Sequence, residues 1–399
     1  MNTYWTRRIL MLVMLVGAVV SACGRTASES TATTIAAGTG GAPRVEQEVT
    51  FAFGQDELFG VLTLPNGEGP HPAIVLISGS GDRTDGIRAG ASNSVFRSHS
   101  VRMAAEGFAV LRYDPPGVGR SSGGSVVPSF EARVEETITA IRYMQSLSDI
   151  ASDEVGLQGW SQGPWIMAMT AAQYPEEVAF LVSVVGSGQS VANQQIYGIE
   201  AQTRAAGLPV DDITKAVVFG RALIDWQLID PIYREANEAD ALTLGDGPWT
   251  DFMDLVYEPG EIDPVQGLGF GVEILKSVQG EPWTEALYLE LQIPVFESIP
   301  ADISVEQLAA LAAISADNLM TDPKDFLTEI RMPVLAFFGE DDLNVDSDTS
   351  PALFEQYLTD AGNEDFAVVL IPGVGHGIGV STPGYWDTLS DWLGHLYAD

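Results

Sequence analysis

Short apolar runs alternating with stretches of helical periodicity limit what this chain can fold into. Ala73–Ile77, Phe108–Tyr113, Val155–Gln158, Ala179–Val185, Pro333–Phe338 and Phe366–Ile371 are each four to seven residues long and lack the polar alternation of a half-exposed strand. Runs of this kind mark parallel strands buried on both faces. Between the first two, Val95–Glu106 reads as a helix; after them Phe130, Val134, Ile138, Ile141 and Leu147 recur at helical spacing. Upstream, Val49–Phe53 and Leu58–Leu64 form an expected antiparallel pair around Gly54-Gln55-Asp56. The alternation predicts an α/β fold, a mostly parallel sheet covered by helices. It stops between Gln189 and Ile330, a helix-leaning stretch holding Trp226, Trp249 and Trp283. A structureless loop of that length is improbable, so the stretch reads as a helical cap. The expected body is therefore a core of residues 46–188 and 331–399 interrupted by a cap of residues 189–330.

The first residues read as an address. Arg7 and Arg8 precede an apolar run, Ile9–Val20, of 12 residues. That is too short to span about 30 Å of hydrocarbon but suits a signal-peptide core. Val20-Ser21-Ala22-Cys23 follows, resembling the lipobox at which bacterial lipoproteins are cleaved and lipidated, and Cys23 is the chain's only cysteine. Residues 1–22 are thus expected to be a lipoprotein signal peptide and residues 23–45 a small, polar tether without period. The expectation is an exported protein, at the cell surface or in the periplasm, associated with a membrane through its lipid anchor alone. A single cysteine leaves no intrachain disulfide. The formal charge of −36 opposes binding to nucleic acid or anionic headgroups.

Three loops carry the chemistry. Gly159-Trp160-Ser161-Gln162-Gly163 follows a strand and opens an apolar helix, the context a nucleophile elbow requires. A serine hydroxyl needs a base. Of His71, His99, His376 and His395, only His376 lies in a glycine-rich loop directly after a strand, Pro372-Gly373-Val374-Gly375-His376-Gly377. The acid that would orient it is Asp342, after the strand ending at Phe338, with the adjacent Asp341 left open by spacing. Oxyanion donors are expected from the backbone N–H of Gln162 and from the loop Ser78-Gly79-Ser80-Gly81, where Ser80 is favoured over Gly79 or Gly81. Asp342–Asp346 imitates the start of a calcium loop, but Ser347 and Leu353 stand where that loop needs Gly and Glu. Gly117-Val118-Gly119 lacks the remainder of a dinucleotide fingerprint.

The order Ser161, Asp342, His376 resembles that of the α/β-hydrolase superfamily. The chain is most similar to the bacterial branch grouped with dienelactone hydrolases and serine aminopeptidase-like hydrolases. The resemblance rests on His71–Gly81, on Arg112-Tyr113-Asp114 with Gly117–Ser121, on Pro333–Asp342 and on Pro372–His376. Pro116, Trp160 and Pro164 depart from the residues common in that branch. The superfamily's epoxide hydrolases and dehalogenases use an aspartate nucleophile, so Ser161 speaks against both.

The sequence therefore predicts a serine hydrolase that forms an acyl-enzyme and needs no cofactor or metal. Its expected substrate is a small-molecule carboxylic ester, and export argues against CoA thioesters. A peptidase or amidase is the nearest alternative, since the same three residues cleave both bonds. The alternative from another class is a non-catalytic, ligand-binding surface lipoprotein, against which the complete set of three residues speaks.

Overall fold

The computed structural model describes residues 45–79, 95–124, 128–228, 256, 278, 280–291 and 304–397. The expected signal peptide, Cys23, Trp249 and Ser80 lie outside the described residues, as does the tether except for Val45, which opens the first strand.

Eight strands form one sheet in the order β1-β2-β4-β3-β5-β6-β7-β8. They are β1 (Val45–Phe53), β2 (Asp56–Leu64), β3 (His71–Ile77), β4 (Ala109–Tyr113), β5 (Ile150–Trp160), β6 (Leu181–Val184), β7 (Val334–Gly339) and β8 (Phe366–Ile371). β2 runs antiparallel to both β1 and β4, and every pairing from β4 to β8 is parallel. Three helices of the first half, α1 (Val95–Ala105), α2 (Phe130–Gln145) and α3 (Gly163–Gln173), connect the strands. Among the described residues, five lie between β6 and β7: α4 (Val191–Ala205), α5 (Val210–Leu228), α6 (Thr284–Glu290), α7 (Val305–Met320) and α8 (Lys324–Leu327). The last two are α9 (Ser350–Asp360) and α10 (Tyr385–Leu396).

Two-residue periodicity divides the core between the faces of the sheet. Ala73, Val75 and Ile77 of β3 face Val134, Ile138 and Ile141 of α2 and the apolar start of α3. Ile74 and Leu76 point to the opposite face, where Phe96 and Met103 of α1 and Tyr385 and Leu389 of α10 cover them. Burying each such side chain contributes roughly 1.5–3 kcal/mol. Both faces being covered explains why the strands read as apolar runs rather than alternating ones.

Two strands begin four or more residues before their apolar segments. β1 begins four residues before Val49. Its added half is held by charge: Glu46 takes Arg112 at 2.7 Å and Arg97 at 2.6 Å. β5 begins at Ile150, ahead of the solvent-facing Ser152 and Asp153, and its register with β3 shifts between His71 and Ala73. Ladder hydrogen bonds need no apolar side chain, so periodicity cannot see these extensions.

Candidate active site

Parallel strands place their following loops at one edge of the sheet, and all three candidate side chains arise there. β5 delivers Ser161, β7 delivers Asp342 and β8 delivers His376. Ser161 adopts φ +57°, a conformation rare for non-glycine residues, with its N–H bonded to the Val184 carbonyl at 3.0 Å. The glycines around it are required by contact. A Cβ on Gly159 would lie 2.6 Å from the Gly163 carbonyl carbon, and one on Gly163 would lie 2.7 Å from the Ile77 oxygen. Strand, elbow and helix thus meet backbone to backbone. Val185, the residue after β6, is also left-handed at φ +49° and is fully buried.

His376 spans the other two residues. Its Nε2 is 3.0 Å from Ser161 Oγ, and its Nδ1 is 2.8 Å from Asp342 Oδ2. The second carboxylate oxygen of Asp342 accepts from the backbone N–H groups of Asn344 at 2.8 Å and Val345 at 3.1 Å. Asp342 is buried, whereas Asp341 is exposed and turned to solvent. Of the two carboxylates that spacing left open, Asp342 is the one that meets His376. The Asp346 carboxylate caps its own turn, accepting from the N–H groups of Asp348 and Thr349 at 3.0 Å each. Among the described residues no group of three or more His, Cys, Asp or Glu side chains is placed to hold a metal ion.

Gln162 stands at the start of α3, where the first N–H groups have no partner within the helix. Gly79 lies against the elbow, since a Cβ there would be 3.1 Å from Ser161 Cβ. The loop leaving β3 therefore borders the nucleophile, as an oxyanion loop must. The other three histidines lie elsewhere. His99 is fully buried, its Nε2 3.2 Å from Tyr385 Oη, and burial pushes it down to about 4. Its Nδ1 is 3.0 Å from the Val95 oxygen, a contact that favours the proton on that nitrogen.

The helices between β6 and β7 contribute groups that sequence reasoning missed. Tyr197 of α4 donates its hydroxyl to the Asp342 carbonyl at 3.0 Å, and Gln194 donates to the Asn344 carbonyl at 2.7 Å. Burial and the carboxylates of Asp346 and Asp342 push Tyr197 up to about 12, so the hydroxyl stays protonated to donate. Glu290, at the end of α6, lines a small cavity together with Ser161, Trp165, Gln195 and Asn344. Gln202 donates to its Oε1, as does Asn344 Nδ2 at 3.2 Å. Burial pushes Glu290 up to about 7, opposed by the Gln202 hydrogen bond and by its attraction to His376. Gly198 admits the carboxylate, whose carbon would lie 2.5 Å from any Cβ at that position. No local pattern announces Glu290, because only helix packing brings it to the pocket. Arg133, which stands within the buried face of α2 and is 4% exposed, was likewise missed from the sequence.

Comparison with known proteins agrees with this fold. Esterase EstD of Thermotoga maritima is 27% identical over 96 residues, an alignment covering 23% of this chain and 22% of that protein. The chain thus matches less than a quarter of that relative's length. Among solved structures, the α/β hydrolase GrgF from Penicillium sp. sh18 superposes with a TM-score of 0.50 at 16% identity, over 89% of this chain and 100% of that one. DcsB, solved in complex with its substrate analogue, gives 0.50 at 18% identity with the same coverage. At such identities the likeness concerns the fold, which is the α/β-hydrolase fold. The X-Pro dipeptidyl-peptidase (S15) family matches residues 54–257, about half of the sequence, and this chain belongs to it.

Proposed function

We propose that the protein is a serine hydrolase acting through an acyl-enzyme on carboxylic esters. The observation that carries this reading is the bridge from Ser161 through His376 to Asp342, at 3.0 and 2.8 Å. Ser161 Oγ attacks the acyl carbon while its proton passes to His376 Nε2. His376 Nδ1–H donates to Asp342, whose charge stabilises the imidazolium that forms. The Gln162 N–H, with a donor from the loop after β3, receives the oxyanion. His376 then returns the proton to the leaving alkoxide. Water, deprotonated by the same imidazole, frees the acid and restores Ser161.

Peptide cleavage is the second reading, and Glu290 favours it. Beside the nucleophile the cavity is lined by this residue and by Gln195, whose Oε1 is buried and has no hydrogen-bond partner among the described residues. Two acceptors suit a substrate bearing a protonated amine, as a peptide with a free N-terminus does. Family membership agrees with this reading, and the esterase relative agrees with the first.

A fluorophosphonate probe tests the hydrolase itself: it labels the wild type and not Ser161→Ala, whereas an unlabelled, folded wild type rejects both readings. A panel of p-nitrophenyl esters beside aminoacyl- and Xaa-Pro-anilides then divides them. Turnover confined to the anilides overturns the ester reading. We also propose that the protein is exported and anchored by acyl chains on Cys23, supported by Val20-Ser21-Ala22-Cys23 behind its apolar run. Cys23→Ser then releases it from the membrane fraction, and unchanged fractionation rejects the anchor. The branch grouped with dienelactone hydrolases is proposed on the motifs that resemble it.

A further inference from the structure

Arg133 is a charged side chain that the proposed chemistry does not use, although it is 4% exposed and lies within the core beneath the nucleophile. A buried guanidinium is costly unless its donors are satisfied, so where they point is informative. One terminal nitrogen donates to the side-chain oxygen of Gln162, the residue after Ser161. The other donates to the carbonyl of Ser78 at 2.7 Å and lies 3.4 Å from its hydroxyl. Its third nitrogen, Nε, is 3.8 Å from Glu136, a buried carboxylate that also accepts from Tyr113 at 3.2 Å. The ion pair with Glu136 is therefore the loosest of these contacts. The fork itself is directed at the Gln162 side chain and at the Ser78 backbone carbonyl, on the two segments that flank Ser161.

Those segments are the walls of the space where an oxyanion would develop. Gln162 supplies the expected N–H at the head of α3. Ser78 and Gly79 form the border on the other side, Gly79 being close enough that a Cβ would lie 3.1 Å from Ser161 Cβ. Because the peptide is planar and trans, fixing the Ser78 carbonyl also fixes the direction of the Gly79 N–H. A rigid planar fork holds two acceptors at a set separation, which a flexible ammonium does not.

We propose that Arg133 is the positioning residue of the oxyanion hole, setting the separation between Gln162 and the Ser78–Gly79 peptide. It touches no substrate and acts through these two segments. The proposal rests on the serine-hydrolase reading. It separates two roles of α2, whose apolar face packs the core and whose one buried arginine sets the site.

Gln162→Ala and Arg133→Lys test it. The first severs one arm and leaves the arginine with its hold on Ser78, and the second keeps the charge but loses the fork. With p-nitrophenyl acetate, and with active sites counted by exhaustive phosphonate labelling, both variants are expected to lower kcat about 10- to 100-fold while KM changes less than about threefold. The rate constant for phosphonate inactivation, whose pentacoordinate transition state also directs a phosphoryl oxygen into the same hole, falls with it. A purely structural arginine lowers the melting temperature and leaves kcat per labelled site at the wild-type value; that result overturns the proposal. If Arg133→Lys does not fold, Gln162→Ala decides alone, an unchanged kcat overturning the proposal and a reduced kcat at unchanged KM supporting it. A wild type that neither reacts with the phosphonate nor turns over the ester removes the hydrolase reading and this assignment together, an outcome distinct from failure of the variants alone.

Discussion

Ser161 holds a backbone conformation that costs on the order of 1–3 kcal/mol, and its neighbours over-determine it. Its N–H is taken by Val184, its Oγ by His376, and glycines on either side leave the backbone no room to relax. Asp342 is fixed as firmly, since two N–H groups hold one oxygen and leave the other for His376. Asp342→Asn keeps the shape but allows the amide to donate to Nδ1, which traps the wrong imidazole tautomer. In serine proteases with the same three groups, the equivalent change lowers kcat by about 10⁴, and a loss of that order is expected here. Asp341→Asn, at an exposed position, is expected to stay within about twofold. Ester turnover by the two variants checks this pair, and an Asp342→Asn enzyme retaining more than a tenth of wild-type kcat would remove Asp342 from its role. These three residues were legible because each follows a strand, Ser161 and His376 within glycine-rich turns and Asp342 three residues after Gly339. Glu290 and Gln195 were not, because nothing within a helix says which of its polar residues another element will bury.

At the scale of elements, α4 links the region between β6 and β7 to the acid loop. Gln194 and Tyr197 are three residues apart, hence on one helix face, and both donate to carbonyls of that loop. Tyr197 and Asp342 are 145 residues apart in sequence, so their contact follows from the packing of α4 rather than from any local signal. The strands were readable because burial on both faces writes itself into composition, but the angle at which α4 crosses the sheet edge is set by contacts over the whole fold. Tyr197→Phe removes one hydrogen bond, worth about 0.5–1.5 kcal/mol, and leaves the ring in place. If that bond holds the acid loop in its reactive geometry, kcat falls by roughly 2- to 10-fold, with KM little changed. Steady-state kinetics on one ester decides it: a Tyr197→Phe enzyme with wild-type kcat shows that α4 rests on the loop without positioning it.

For the molecule as a whole, acidity and burial combine into a pH dependence of stability. The formal charge is −36, so each further ionisation adds to self-repulsion. Two buried carboxylates ionise late: burial pushes Glu136 up to about 7 against the pull of Arg133, and Glu290 also to about 7. An unfolded glutamate titrates near 4.5. The native state therefore binds these protons more tightly than the unfolded state, and its advantage is complete below the unfolded value. As pH rises from there through about 7 the unfolded chain has already released its proton and the native chain must release one at a cost, so the contribution is lost. For Glu290 alone the loss is of order 3 kcal/mol at most, or several degrees in melting temperature. The surface carboxylates add a pH dependence of their own, but it is shared by wild type and a Glu290→Gln variant and cancels in their difference. Melting curves of the two proteins from pH 5 to 9 isolate the effect. The variant should gain on the wild type as pH climbs toward 8 and hold that gain above it, whereas a difference that stays flat across the range would mean that Glu290 titrates in the folded protein as it does in the unfolded chain.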